Sequence, residues 1–136
     1  LPEDKALCVR VSGEEYLPEG LHPEDLSEMI NLIPEGQVDA IHVSSGGLVN
    51  VHIAVFPGYQ VPPAEKIKAL TSLPVITGGM IHSPALANEI IANGRADFVF
   101  VGRGLLYDAA WVPKAQKALG HEVQWPKPYA AALSRF

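Results

Sequence analysis

Two glycine-rich segments, each at the end of an apolar run, hold the groups in this sequence that are best suited to binding an anion. Residues 77–80 read Thr-Gly-Gly-Met, and residues 101–104 read Val-Gly-Arg-Gly. Glycine lets backbone N–H groups approach a ligand closely, and Arg103 adds a fixed positive charge with paired donors. The two segments together predict a phosphate site. Tight strand-to-helix turns that hold no ligand are the alternative.

A further basic group, Arg10, lies at the end of the apolar run 6–11. A buried arginine without a partner is costly, so an arginine at a strand end usually faces a carboxylate or an anionic ligand. A structural ion pair and a ligand contact are both compatible with the sequence. Arg95, directly after Gly94, is instead predicted to lie at an exposed helix end.

Other kinds of reactive site have little support. The five histidines are scattered, and no two of them have the spacing of metal ligands. The sequence also contains no GxGxxG fingerprint, no GxxxxGK[ST] loop and no GxSxG elbow. We therefore expect no metal, Rossmann, P-loop or serine-hydrolase site, and we predict that His42 is a hydrogen-bonded interior residue.

Several other polar or reactive residues are predicted to be structural. Cys8 lies within an apolar run and is expected to be a small core residue. Asp39 and Asp97 each come just before an apolar run, which would place them on the non-catalytic face of a barrel. Glu14 and Glu15 are expected to be solvated loop charges.

The composition excludes several classes of protein. The chain has 136 residues, 48% of them apolar and 18% charged, with a net charge of −5 and a mean hydropathy of +0.14, which excludes intrinsic disorder. Its apolar runs are far shorter than the ~20 residues of a membrane span. It lacks the basic cluster of a nucleic-acid-binding protein, and its single cysteine excludes an internal disulfide. Because it begins with leucine rather than methionine, we expect it to start inside a longer protein.

Strands and helices are predicted to alternate along the chain. Short, nearly continuous apolar runs are typical of strands in a parallel sheet, and they occur at residues 6–11, 40–44, 73–77 and 98–101. Helical patterns follow these runs around residues 23–33, 63–70, 84–93 and 112–119. Four βα units without a linker predict an α/β fold with parallel strands, either a small open sheet or the (βα)4 half of a (β/α)8 barrel. We place this half-barrel at residues 1–120 and an extended, proline-rich arm at 121–136.

Six segments in this order resemble the C-terminal half of old yellow enzyme family flavin oxidoreductases, in particular their thermophilic-like bacterial ene-reductase branch. They are residues 8–12, 39–50, 56–60 followed by 64–67, 77–81, 93–97 and 101–103. The resemblance implies a (β/α)8 barrel that holds FMN at the carboxyl ends of its strands. It also implies that NAD(P)H reduces the flavin, which then transfers hydride to an activated alkene.

The resemblance assigns cofactor contacts residue by residue. Gly78, Gly79 and Met80 match the loop beside the FMN phosphate, and Gly102 and Arg103 match the pair that clamps this phosphate. These five residues form the implied phosphate site.

Arg10 matches the arginine at the N1/O2 edge of the isoalloxazine ring, where a guanidinium stabilises the negative charge of the reduced flavin. Ser44 and Ser45 are implied to lie near the flavin. Arg135, next to Phe136, resembles the terminal arginine that this branch inserts into a neighbouring subunit's active site, and a frayed terminus is the alternative.

The residues that activate the substrate in this family belong to its first four βα units and have no counterpart here. We therefore expect an FMN-binding half of a cytoplasmic NAD(P)H-dependent oxidoreductase that is inactive alone and that pairs with itself or with the missing N-terminal half. No catalytic residue is assigned within the chain, Arg135 aside. The alternatives are a non-catalytic (βα)4 binding or structural module and a fragment of another phosphate-binding barrel.

Overall fold

Four short parallel strands form one sheet in chain order. The computed structural model describes residues 2, 4–123, 125 and 127–133. The strands are β1 (Cys8–Ser12), β2 (Ala40–Ser44), β3 (Val75–Thr77) and β4 (Phe98–Val99), and each pairs with the next in the order β1-β2-β3-β4. A parallel sheet in chain order with helical crossovers is the arrangement of half a (β/α)8 barrel, so the predicted fold class is confirmed.

Helices connect the strands and continue beyond the last of them. They are α1 (Pro23–Asn31), α2 (Val61–Leu70), α3 (Pro84–Ala92), α4 (Arg103–Tyr107), α5 (Trp111–Ala118) and α6 (Lys127–Leu133). The first three begin with a proline in the first turn, where the missing N–H costs nothing. The Ser83 hydroxyl accepts a hydrogen bond from the Leu86 N–H and caps α3.

The two faces of the sheet have different environments. The side chains of Ile41, Val43 and Val75 point to the helices and are fully buried, in a core that includes Ile67 of α2. Alternate residues point to the opposite face, which we call the inner face and which consists of Cys8, Arg10, His42, Ile76 and Phe98. Phe98 is 57% exposed there. The helix side of the sheet is therefore packed and the inner face is open.

An aspartate contact recurs in two of the three strand pairs. The Asp39 carboxylate, just before β2, accepts a hydrogen bond from the Leu7 N–H at 2.7 Å, and the Asp39 N–H donates to the Leu7 carbonyl at 2.9 Å. Asp97, just before β4, makes the same pair of bonds with Val75, both at 2.9 Å. The predicted structural role of both aspartates is confirmed, because each holds the start of one strand to the start of its neighbour.

Replacing Asp97 with alanine is expected to lower the free energy of unfolding by about 1–2 kcal/mol, because it leaves the N–H of the buried Val75 without an acceptor. It also removes the ion pair with Lys68. Asp39→Ala is the matched control: its partner Leu7 is 36% exposed, so water can replace the lost bond and a smaller effect is expected. Urea unfolding followed by circular dichroism measures both. Equal losses would contradict the explanation by burial.

Two structural predictions are wrong, one in β1 and one in β3 and β4. Cys8 is exposed rather than in the core, because β1 is an edge strand and Cys8 points to the open inner face. The predicted runs also overestimate two strands, since β3 has three residues and β4 only two. In both places the continuous apolar character extends into the turn beside the strand.

The C-terminal segment and one connection also differ from prediction. Residues 127–133, predicted to be extended, form α6: Pro128 occupies the second helical position, where proline is tolerated, and strong helix formers follow it. The short helix α4 was not predicted, because five residues are too few for a periodic pattern. The division into a half-barrel over 1–120 and a separate arm remains a prediction.

Candidate functional site

A cavity of about 240 Å³ lies beside the loops that follow β3 and β4. Five of the six residues that we predicted to bind a cofactor line this cavity: Arg10, Gly79, Met80, Gly102 and Arg103. They come from β1, from the β3–α3 loop and from the start of α4, which are distant in sequence. The fold therefore brings the two glycine-rich segments and the arginine of β1 to one place.

The two arginines of the cavity have no carboxylate partner within the part of the chain that the structure describes. Arg95 shows the contrast, since it pairs with Glu65 of α2 at 2.9 Å and with Glu89 of α3 at 3.2 Å. The hydrogen bond with Glu65 raises the pKa of Arg95. Arg95 was predicted to be an exposed helix end; it is half-buried, because carboxylates of two helices converge on it. Of the arginines that the structure describes, Arg10 and Arg103 remain available to an anion.

The β3–α3 loop has a left-handed backbone at two consecutive residues. Gly79 has φ +90° and Met80 has φ +54°, a region that residues other than glycine rarely adopt. The Gly79 carbonyl accepts a hydrogen bond from the Gly58 N–H at 2.7 Å, which ties the loop to the segment before α2. A Cβ at Gly79 would lie 3.0 Å from both the Tyr59 ring and Gln60. The loop is thus held in an uncommon conformation by its neighbours.

Gly78, the sixth predicted residue, does not line the cavity. It lies under Phe100, which itself lines the cavity with Tyr59, Gln60 and His82. None of these four was singled out from the sequence. Tyr59 and Gln60 belong to segment 56–60, which carried part of the family resemblance, and that signal could have identified them. Phe100 and His82 each lie within two residues of a glycine-rich segment.

His42 occupies the inner face next to the cavity. Its Nε2 atom is buried and has no hydrogen-bond partner among the described residues, so the predicted hydrogen-bonded interior histidine is wrong. Its ring instead packs on Phe100, with 4.4 Å between the ring centroids. Burial, together with the charge of Arg10, lowers the pKa of His42, so the ring is neutral at pH 7.

The serines at the end of β2 make hydrogen bonds outside the cavity. The Ser44 hydroxyl donates to the Val11 carbonyl at 3.2 Å, and the Ser45 hydroxyl accepts from the Tyr16 hydroxyl at 2.9 Å. Neither serine lines the cavity, so the structure does not group them with the arginines. Arg135, the predicted inter-subunit arginine, lies outside the described residues.

A second, wider cleft of about 700 Å³ lies between the β1–α1 and β2–α2 connections. Glu14 lines this cleft and accepts hydrogen bonds from the Tyr16 N–H at 2.8 Å and from Nδ1 of His22 at 3.0 Å. Glu15 accepts a hydrogen bond from the Leu21 N–H at 3.0 Å. The two glutamates, predicted to be solvated, instead fix the loop between β1 and α1.

The contact between Glu14 and His22 is expected to depend on pH. The hydrogen bond that Nδ1 of His22 donates to the Glu14 carboxylate raises the pKa of His22 above its ordinary 6.5. The stabilisation by this contact is therefore complete below pH 6.5 and is lost as the pH rises through the raised pKa. We expect Glu14→Gln to lower the pKa of His22 in an NMR titration, and Glu15→Gln to leave it unchanged. A wild-type pKa at or below 6.5 would contradict the contact.

The described residues give no indication of a metal site or of a membrane-spanning helix. They contain no group of three histidine, cysteine or acidic side chains placed to hold a metal ion. Among them, every helix is too short or too polar to cross a membrane.

Comparison with known proteins gives a consistent result. Residues 2–122 match the family described as NADH:flavin oxidoreductase / NADH oxidase. An NADPH dehydrogenase of Geobacillus thermodenitrificans is 42% identical over 93% of this chain and 37% of that protein, and one of Bacillus subtilis is 43% identical over the same shares. An NADPH dehydrogenase of Clostridium acetobutylicum is 36% identical over 98% of this chain and 39% of its own length. The chain thus spans little more than a third of these curated relatives.

Proposed function

The chain belongs to the NADH:flavin oxidoreductase / NADH oxidase family, the old yellow enzyme family, and from this membership we propose that it is the FMN-binding half of an NAD(P)H-dependent oxidoreductase. The observation that carries the proposal is the cavity in which two arginines, neither paired with a described carboxylate, meet the left-handed loop at Gly79 and Met80. Membership of this family removes the alternative of an unrelated phosphate-binding barrel.

The residues of the cavity fit the charged parts of FMN. In our proposal Arg103 and the backbone of Gly102 together bind the phosphate. Nothing lies within 4 Å of a Cβ added at Gly102, so a ligand can approach the backbone there. Gly79 and Met80 border the same phosphate. Arg10 stabilises the N1/O2 edge of the flavin ring, where negative charge develops on reduction. Bound FMN supplies hydride transfer, from NAD(P)H to the flavin and from the flavin to an activated C=C bond.

The size of the cavity agrees with half of a cofactor site. Pockets that enclose a ligand have volumes of about 300–1,000 Å³, whereas this cavity has about 240 Å³. It can hold the phosphate and one edge of the cofactor, and the remainder would lie along the open inner face. We therefore propose that the isolated chain binds FMN but does not turn over, and that the complete enzyme is cytoplasmic.

The direct test is a titration of the FMN-free chain with FMN and, in parallel, with riboflavin, which has the same ring system but no phosphate. We expect flavin fluorescence to report saturable binding that is tighter for FMN. No binding of either flavin would overturn the proposal and would favour the non-catalytic (βα)4 module. Equal affinities for FMN and riboflavin would contradict the proposed contact with the phosphate.

The open inner face predicts association. Phe98 is 57% exposed there, and β1 and β4 each have one unpaired edge in the sheet order. Exposed strand edges and apolar patches favour pairing with another chain. We propose that the half-barrel pairs with a second copy or with the missing N-terminal half to close an eight-stranded barrel.

We expect the purified chain to elute as a dimer or a larger species in size-exclusion chromatography with light scattering. Phe98→Lys places a charge on the inner face and is expected to shift the chain toward the monomer. Leu106→Lys is a matched control, since Leu106 is 88% exposed and lies in α4 rather than on the inner face. A monomeric wild-type chain would contradict self-pairing.

A further inference from the structure

The ring of Phe100 connects the two outer strands of the sheet across the inner face. Phe100 follows β4, and its ring centroid lies 5.6 Å from Cζ of Arg10 in β1 and 4.4 Å from the ring centroid of His42 in β2. Three strand spacings, about 14 Å, separate β1 from β4 in a flat sheet. The side chains of Phe100 and Arg10 therefore converge over the inner face to meet.

Gly78 allows the ring to occupy this place. A Cβ at Gly78 would lie 2.5 Å from Cε1 and Cζ of Phe100, a distance that real Cβ atoms essentially never show. The φ angle of Gly78 is not positive, so its backbone conformation does not require glycine. The requirement at this position is space for the ring. Gly78 thus affects the cavity through Phe100, although it does not line the cavity itself.

The contact between Arg10 and Phe100 has the geometry of a cation–π interaction, which extends to about 6 Å from the ring centroid. Arg10 has no carboxylate partner among the described residues that would draw it elsewhere. His42, whose ring also packs on Phe100, is neutral at pH 7 and so brings no second positive charge to this ring. The ring is therefore placed to orient the guanidinium.

We propose that Phe100 is a positioning residue that holds the Arg10 guanidinium toward the cavity, and that Gly78 serves to admit its ring. The inference rests on the proposed function, in which Arg10 contacts the flavin edge. A guanidinium that is already oriented loses less conformational freedom when the flavin binds, so the ring contributes to affinity without contacting the phosphate.

Phe100→Leu and Phe100→Tyr form a matched pair, since the first removes the ring and the second keeps it. We expect Phe100→Leu to weaken FMN binding about three- to tenfold and Phe100→Tyr to retain it. NMR of the FMN-free chain gives a second readout, because the ring current of Phe100 shifts the Arg10 side-chain protons upfield. This shift is expected to disappear in Phe100→Leu only.

A double-mutant cycle separates positioning from general packing. In an Arg10→Gln background, Phe100→Leu is expected to have no further effect on FMN affinity. An equal loss in both backgrounds, or an unchanged Arg10 shift in Phe100→Leu, would overturn the inference. If circular dichroism shows that Phe100→Leu does not fold, Gly78→Ala displaces the ring without removing it and should give the same changes. If the wild-type chain binds no FMN, the proposed function is overturned. The NMR shift of the Arg10 side-chain protons, measured without FMN, then tests the contact between Phe100 and Arg10 independently.

Discussion

Replacing Arg103 with alanine is expected to weaken FMN binding by about ten- to a hundredfold, because a hydrogen bond to a charged group contributes about 1.5–3 kcal/mol. Arg103 lines the cavity, and no carboxylate among the described residues competes with a phosphate for it. The variant should also lose the preference for FMN over riboflavin, since only FMN carries the phosphate. Titration of both flavins, followed by flavin fluorescence, measures these effects.

Arg95→Ala is the matched control for Arg103→Ala. Arg95 is bonded to two glutamates and does not line the cavity, so its loss is expected to lower the free energy of unfolding while leaving FMN affinity unchanged. Similar losses of FMN affinity in the two variants would show that net charge, rather than a specific contact, attracts the anion. If Arg103→Ala lowers the affinity for riboflavin as much as the affinity for FMN, the contact between Arg103 and the phosphate is contradicted.

Gly79→Ala is expected to lower the free energy of unfolding by about 2–5 kcal/mol and to weaken FMN binding. Two costs add in this variant. A left-handed backbone costs a residue with a Cβ about 1–2 kcal/mol, and overpacking costs about 1–3 kcal/mol. Gly79 has φ +90°, and its added Cβ would press on Tyr59 and Gln60, which also line the cavity. Urea unfolding and FMN titration measure the two effects separately.

Gly94→Ala separates backbone strain from crowding. Gly94 follows α3 with φ +68°, and nothing lies within 4 Å of an added Cβ. We expect a cost of about 1–2 kcal/mol, the backbone term alone, and no change in FMN affinity. If Gly79→Ala costs no more than Gly94→Ala, the packing of the β3–α3 loop against Tyr59 does not constrain the site.

The sequence predicts the parts of this structure that depend on local patterns. The apolar run at 40–44 matches β2 at both ends, and the helical pattern at 84–93 begins at the residue where α3 begins. The exposure of Cys8 could not be predicted in this way, because it depends on the open inner face and not on the apolar neighbours of Cys8. The composition of the tail does not predict α6, because its prolines disfavour a helix, although Pro128 lies in the first turn, where proline is tolerated.

The candidate site was predictable where residue type alone determines the chemistry. The arginines and glycines that line the cavity are recognisable from their position after strands. The residues that pack around Arg10 are not recognisable from the sequence. His42 lies beside Arg10 because β1 pairs with β2, and Phe100 reaches both residues from the far side of the sheet. The partners of Arg95 were missed for the same reason, since Glu65 lies thirty residues away on another helix.

The aspartates at positions 39 and 97 also restrict how neighbouring strands can slide along one another. Asp39 makes two bonds with Leu7 and Asp97 makes two with Val75, whereas the start of β2 joins the residue before β3 through one main-chain bond, from the Ile41 N–H to the Pro74 carbonyl. A shift of β2 along β1, or of β4 along β3, by one residue would break both bonds of the aspartate concerned. Each aspartate therefore opposes a slip in the register of its own strand pair.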